Sequence, residues 1–216
     1  MAKRQFGTCF FESYAQISLS ALLGHEFDCL VNIDRPDLQS NDGHSIGIEV
    51  TRAMEESKTA EDALLKDISG ITPAPKDDDL EQILESGYAY GLHEGKYIGV
   101  KELSYWSMAL PLQRILESKV SKVGNGFYGR FDKMGLYVFN RENLKKVDAE
   151  KAMNYTISLQ RYLDIRYDRL YLADINDLFV CNLADGLKDD SRLVRYPISQ
   201  DNRKAFFVEA LRRQNG

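Results

Sequence analysis

Phe11, Ala15, Leu19 and Leu22 fall on one stripe at helical spacing, with Glu12, Gln16 and Ser20 on a neighbouring polar line. That period predicts a helix over residues 11–23, stopped by Gly24. The period then changes to two. Phe27, Cys29, Val31 and Ile33 alternate with mixed residues and predict a strand over 27–33. Pro36 breaks regular pairing because it has no N–H to donate, and Asn41-Asp42-Gly43 signals a turn. A second alternating run follows over 45–51. Ile46, Ile48 and Val50 face one way, and Gly47, Glu49 and Thr51 the other.

Residues 54–95 have the pattern of a helical insertion. It contains an amphipathic stretch over 59–68, a break at Thr72-Pro73-Ala74-Pro75, and a second helix opened by Asp77-Asp78-Asp79. A short strand is expected over 97–100. Pro111 suits the first turn of a helix running to Val123, with Leu112, Ile115, Leu116, Val120 and Val123 as its apolar stripe. Leu136 to Phe139 form a buried strand, and Asp148 caps a helix ending near Leu163. Residues 169–173 and 178–183 form a hairpin around Asn176-Asp177. A polar loop follows, then a closing helix over 201–213. Strands interspersed with helices predict an α/β fold with a mixed sheet and helices on its faces.

Composition narrows the function classes. With 216 residues, 44% hydrophobic and 28% charged, the chain fits one globular domain spanning 1–216. Its net charge of −5 is not that of a basic nucleic-acid binder, although a local basic patch is sufficient for backbone contact. Cys9, Cys29 and Cys181 are odd in number and far apart, and no Cys-x-x-Cys pair is present. Neither a disulfide framework nor a cysteine zinc site is expected, and reduced thiols point to the cytoplasm. His25, His44 and His93 lack ligand spacing. No signal peptide or apolar membrane span is expected, and Gly-x-Ser-x-Gly and the phosphate-cradling Gly-x-x-x-x-Gly-Lys are absent from the sequence.

The chemistry concentrates in Asp34-Arg35-Pro36-Asp37 and the strand Ile46-Gly47-Ile48-Glu49-Val50-Thr51. A Pro-Asp pair at a strand break puts one carboxylate at a sheet edge, and Glu49 projects from a strand beside it. Two carboxylates brought together across a hairpin repel unless a cation lies between them. Mg²⁺ takes one or two carboxylates and completes its shell with water and phosphate oxygens. Glu12 in the first helix, Pro36-Asp37, and Glu49-Val50-Thr51 after a turn together resemble the PD-(D/E)XK nuclease superfamily.

The resemblance implies a restriction-endonuclease-like core, completed by the helix over 111–123 and the strand over 136–140, with the helical insertion added to it. It implies Mg²⁺ or Mn²⁺ held by Asp37, Glu49 and the Val50 carbonyl, with Glu12 in support. It also implies hydrolysis of phosphodiester bonds in DNA, and pairing into a homodimer to cut two strands.

One position departs from the family. The motif lysine is replaced by Thr51, whose hydroxyl cannot supply positive charge to the transition state. Lys119 is the favoured substitute, because it lies on the inward stripe of its helix and its stem can bring the charge to a site. Lys101 and Arg52 are the others, although Arg52 should face the far side of its strand. A basic stretch, containing Arg114, Lys119, Lys122, Arg130, Lys133, Arg141, Lys145 and Lys146 with Phe127 and Tyr128 interleaved, would attract a nucleic-acid backbone. The alternative expectation is a catalytically degenerate relative that binds nucleic acid or protein.

Overall fold

The computed structural model describes residues 8–53, 92–93, 96–97, 110–140, 143–184 and 192–214. Helix α1 spans Thr8–Leu23 and is followed by a 3-10 turn at His25–Phe27. Strands β1 (Leu30–Asn32), β2 (Leu38–Ser40) and β3 (Ile46–Arg52) come next. Strands β4 (Leu92–His93) and β5 (Lys96–Tyr97) pair as a separate two-stranded ribbon. Helix α2 (Leu110–Gly124), β6 (Lys133–Phe139) and α3 (Lys146–Leu159) follow. Strands β7 (Arg169–Ala173), β8 (Asp177–Asn182) and β9 (Leu193–Pro197) precede helix α4 (Gln200–Gln214).

Seven strands form one mixed sheet in the order β1-β2-β3-β6-β7-β8-β9. Its centre, β3-β6-β7, is parallel, and both flanks are antiparallel. The parallel strands are buried on both faces, and β6 accordingly has six consecutive buried residues after Lys133. On one face α1 and α4 meet in an aromatic seam, with Phe10 and Phe207 at 5.3 Å and Tyr14 and Phe206 at 5.8 Å between ring centroids. Ile48, Tyr137, Phe139 and Tyr171 receive that layer from the sheet. On the other face α2 and α3 cover Met134, Leu136, Val138, Leu170 and Leu172. Among the described residues no helix is long and apolar enough to cross a membrane. Cys29 and Cys181 are free thiols.

The expected α/β order stands, with local corrections. The strand expected over 27–33 is confined to Leu30–Asn32, because the 3-10 turn drives Phe27 into the core against Tyr171. Helix α3 stops at Leu159 rather than near Leu163. The buried Gln160 amide clasps the Tyr167 backbone, donating to its carbonyl at 2.8 Å and accepting from its N–H at 3.1 Å, which turns the chain toward β7. Asp148 lies in the first turn of α3, where its carboxylate accepts the Lys145 N–H at 3.0 Å. The loop expected before the closing helix contains β9, paired to β8 and tied by a bidentate contact of Arg195 to Asp177 at 2.7 and 2.8 Å. The helices expected over 59–68 and from Asp77 lie outside the described residues, whereas Leu92–His93 is strand.

Gly47 shows how tightly the carboxylate-bearing hairpin is packed. A Cβ there would lie 2.7 Å from Phe131 Cγ and 2.9 Å from Pro36 Cγ. The Pro36 ring cannot retreat without moving the chain next to Asp37, and the Phe131 contact is at the root of its ring. Gly47→Ala is therefore expected to lower stability by about 1–3 kcal/mol, the usual range for overpacking, read as a shift in the urea midpoint. An unchanged midpoint would mean that the Pro36–Gly47–Phe131 packing is slack.

Candidate metal centre

The site is assembled by the β2–β3 hairpin. Its turn is locked by Asp42, whose Oδ1 accepts from Ser40 Oγ at 2.6 Å and from the backbone N–H groups of His44 and Ser45 at 3.0 and 2.9 Å. Asp42 Oδ2 accepts from the Ser45 hydroxyl. These donors, the Ser40 hydroxyl foremost, hold the Asp42 carboxyl well below the usual carboxylate range. The turn sets the register: Leu38 lies opposite Ile48, and Gln39 opposite Gly47. Continuing that antiparallel register by one residue brings Asp37 opposite Glu49.

Directly opposed like charges are destabilising on a sheet, so this pair needs compensation. Part comes from the backbone, since the Val50 N–H donates to Asp37 Oδ2 at 2.7 Å. Lys119 on α2 adds a cation on the other carboxylate, its Nζ donating to Glu49 Oε1 at 2.5 Å. Both side chains are largely sequestered, at 14% exposure for Lys119 and 9% for Glu49. Even so, burial first and the Glu49 charge second push the Asp37 carboxyl up to about 7.

Two tyrosines lie beside the carboxylate pair. Tyr128 is buried, and its hydroxyl lies within interaction range of Glu49 and Tyr167 without reaching ideal hydrogen-bond geometry to either. Tyr167 donates to the Lys119 carbonyl at 3.4 Å. Burial raises both phenols further from ionisation, so they act as hydrogen-bonding groups and not as bases.

Glu12 belongs to the same electrostatic neighbourhood but is otherwise engaged. Its Oε2 accepts from the Asn32 amide, and its pKa is raised by burial and, to a lesser extent, by Glu49. Among the described residues no group of three or more His, Cys, Asp and Glu converges on a metal position. Glu12 therefore does not join Asp37 and Glu49 in a three-residue cluster. Thr51 follows Glu49 on the same face of β3, partly buried. Arg52 lies across the sheet with its guanidinium 4.7 Å from the centre of the Phe11 ring, on the α1 side, as strand alternation requires. Lys101 lies outside the described residues. His44 remains an exposed turn residue, 3.8 Å from both Asp42 and Asp132.

This donor set can hold a hard divalent cation. Two opposed carboxylates and the adjoining Val50 carbonyl leave positions for water or phosphate oxygens, as Mg²⁺ prefers, and lack the nitrogen and sulfur donors of zinc. The Tyr128 hydroxyl beside Glu49 would give a bound water a further polar contact. The sequence reading did not single out Tyr128 or Tyr167 as pocket residues. The signal for Tyr128 was its position just after the Gly124-Asn125-Gly126 turn that ends the lysine-bearing helix. No protein-family model matches the chain, and neither a curated protein nor a solved structure is detectably similar to it.

Proposed function

We propose that the protein is a metal-dependent nuclease of the PD-(D/E)XK type, with a restriction-endonuclease-like core, that hydrolyses phosphodiester bonds in DNA. The observation that carries this reading is the 2.5 Å contact of Lys119 with Glu49. This contact supports the reading because a lysine from a separate helix brings to the carboxylate pair a positive charge that Thr51 cannot supply. The hairpin leading into a parallel sheet centre, with α1 and α2 on opposite faces, supports the same core.

Asp37, Glu49 and the Val50 carbonyl would hold Mg²⁺ or Mn²⁺, with Glu12 contributing negative charge from the rim. The bound ion supplies Lewis acidity, lowering the pKa of a water and offsetting phosphate charge. Hydrolysis would form one P–O bond to a water oxygen and break the P–O bond to the departing sugar oxygen, with the water's proton released to solvent and one from solvent protonating the departing oxygen. The carboxylates would accept hydrogen bonds from the attacking water, and Tyr128 would give it a further polar contact. Lys119 offsets charge accumulating on the phosphate oxygens. Preorganised charge of this kind contributes about 10²–10³ in rate where single donors have been removed from other enzymes.

The test is cleavage of supercoiled plasmid and of single-stranded DNA with Mg²⁺ and then Mn²⁺, comparing wild type with Asp37→Ala and Glu49→Ala. Metal-dependent cutting lost in both variants is expected. Cutting that survives in both would refute the assignment. The absence of cutting by wild type would favour the alternative that Thr51 motivates: a degenerate nuclease fold that binds nucleic acid or protein without hydrolysis.

A further inference from the structure

Phe127 is a large aromatic residue left 48% exposed. The Arg35 guanidinium lies 5.2 Å from its ring centre and Lys122 Nζ 5.4 Å. Arg35 also pairs with Asp34 at 3.2 Å, and both of those side chains are largely in solvent. The cluster is joined to the carboxylate pocket by covalent structure. Arg35 is two residues before Asp37, Phe127 immediately precedes Tyr128, and Lys122 is one helical turn beyond Lys119. Three segments that each contribute a residue to the carboxylate site thus meet again in this cluster, where they present cations around an aromatic ring. Arg35 also occupies φ 69°, a left-handed backbone that glycine would adopt without strain. A long cationic side chain at that position is unfavourable for the local backbone, which fits a role in solvent-facing recognition.

We propose that Phe127, Arg35 and Lys122 bind one nucleotide of single-stranded or frayed nucleic acid beside the Asp37–Glu49 pocket. The base stacks on the exposed ring, and the two cations move to the flanking phosphates. Stacking tolerates any base because every base has a π-face, and cations draw the backbone in. In an intact duplex those base faces are already occupied by neighbouring bases, so the platform selects unpaired strand. The proposal rests on the nuclease reading for its link to cleavage, but strand binding can be measured without metal.

The experiment is fluorescence anisotropy in EDTA at low salt, using a labelled single strand of about 12 nucleotides and a blunt duplex of the same sequence. Wild type is expected to bind the single strand more tightly than the duplex. Phe127→Ala should weaken strand binding about 5- to 100-fold, while Phe127→Tyr stays within about threefold of wild type. Arg35→Gly should weaken strand binding without lowering the melting temperature. Phe127→Leu retains apolar bulk without a π-face, so it should behave like the Ala variant even if truncation to Ala harms folding.

Equal binding by wild type and Phe127→Ala would overturn the platform, as would equal losses on strand and duplex or failure of wild type to bind the strand. Cleavage that persists with unchanged strand binding in Phe127→Ala would remove the platform and leave the nuclease. Phe127-dependent binding without cleavage in Mg²⁺ or Mn²⁺ would remove the nuclease and leave the platform.

Discussion

Lys119→Met is expected to reduce metal-dependent cleavage about 10²- to 10³-fold, consistent with loss of one preorganised charge from a sequestered site. The same change should destabilise the fold. It removes the 2.5 Å partner of Glu49, a carboxylate whose side chain is only 9% exposed, and leaves it facing Asp37. Breaking a buried pair by deleting one partner costs about 3–5 kcal/mol, and the partial exposure of Lys119 puts the expectation near the lower end. Urea denaturation measures the second effect, and single-turnover cleavage of labelled DNA the first. Lys119→Arg separates the two, because it keeps the charge and restores much of the stability, while its planar head alters the position of the cation and leaves cleavage impaired. Cleavage by Lys119→Met at the wild-type rate would show that the charge at this position plays no part in hydrolysis.

Asp37→Asn is expected to make the metal-free protein more stable at pH 8 while eliminating metal binding. The Asp37 carboxyl is pushed from its ordinary 3.8 up to about 7, by burial first and then by Glu49. Between those values the folded chain holds a proton that the unfolded chain has released. The contribution of this group to stability is therefore complete in acid and is lost as pH rises toward 7. Asparagine removes the titration and can still accept the Val50 N–H. Allowing for partial exposure, the variant should exceed wild type by about 1–2 kcal/mol at pH 8. Thermal melts in EDTA at pH 5 and pH 8 check this, and Mn²⁺ calorimetry should show heat for wild type alone. A metal-free variant less stable than wild type at pH 8 would contradict the strain assigned to the opposed carboxylates.

Local periodicity accounts for what was legible in the sequence. Helices α1, α2 and α4, strand β3 and the β7–β8 hairpin each carry a full apolar face, so the pattern alone outlines them. Lys119 was legible for the same reason, since it interrupts the inward stripe between Leu116 and Val120. Strand β2 was not, because three residues beside a proline have no measurable period. Strand β9 escaped because Arg195 and the exposed Val194 obscure its alternation at a sheet edge, where the ladder and the Asp177 contact supply the order. The opposition of Asp37 and Glu49 was foreseeable from the turn, but the burial of Tyr128 beside them was not. The approach of Arg35 to Phe127 was equally hidden, because it depends on how a loop after α2 returns across the hairpin. Such long-range placement leaves no trace in the neighbouring residues.

Strands β3 and β6 lie side by side, yet the chain between them includes α2 and everything before it back to Arg52. During synthesis, Asp37 and Glu49 would leave the ribosome well ahead of Lys119, whose sequence separation from Glu49 is 70 residues. Until α2 docks, the carboxylates lack their cation, and the rim lacks both Phe127 and Lys122. On the nuclease reading, hydrolytic competence would thus arrive late, once the second half of the sheet closes. On that reading, a chain terminated before α2 would hold neither the lysine that hydrolysis requires nor the aromatic rim.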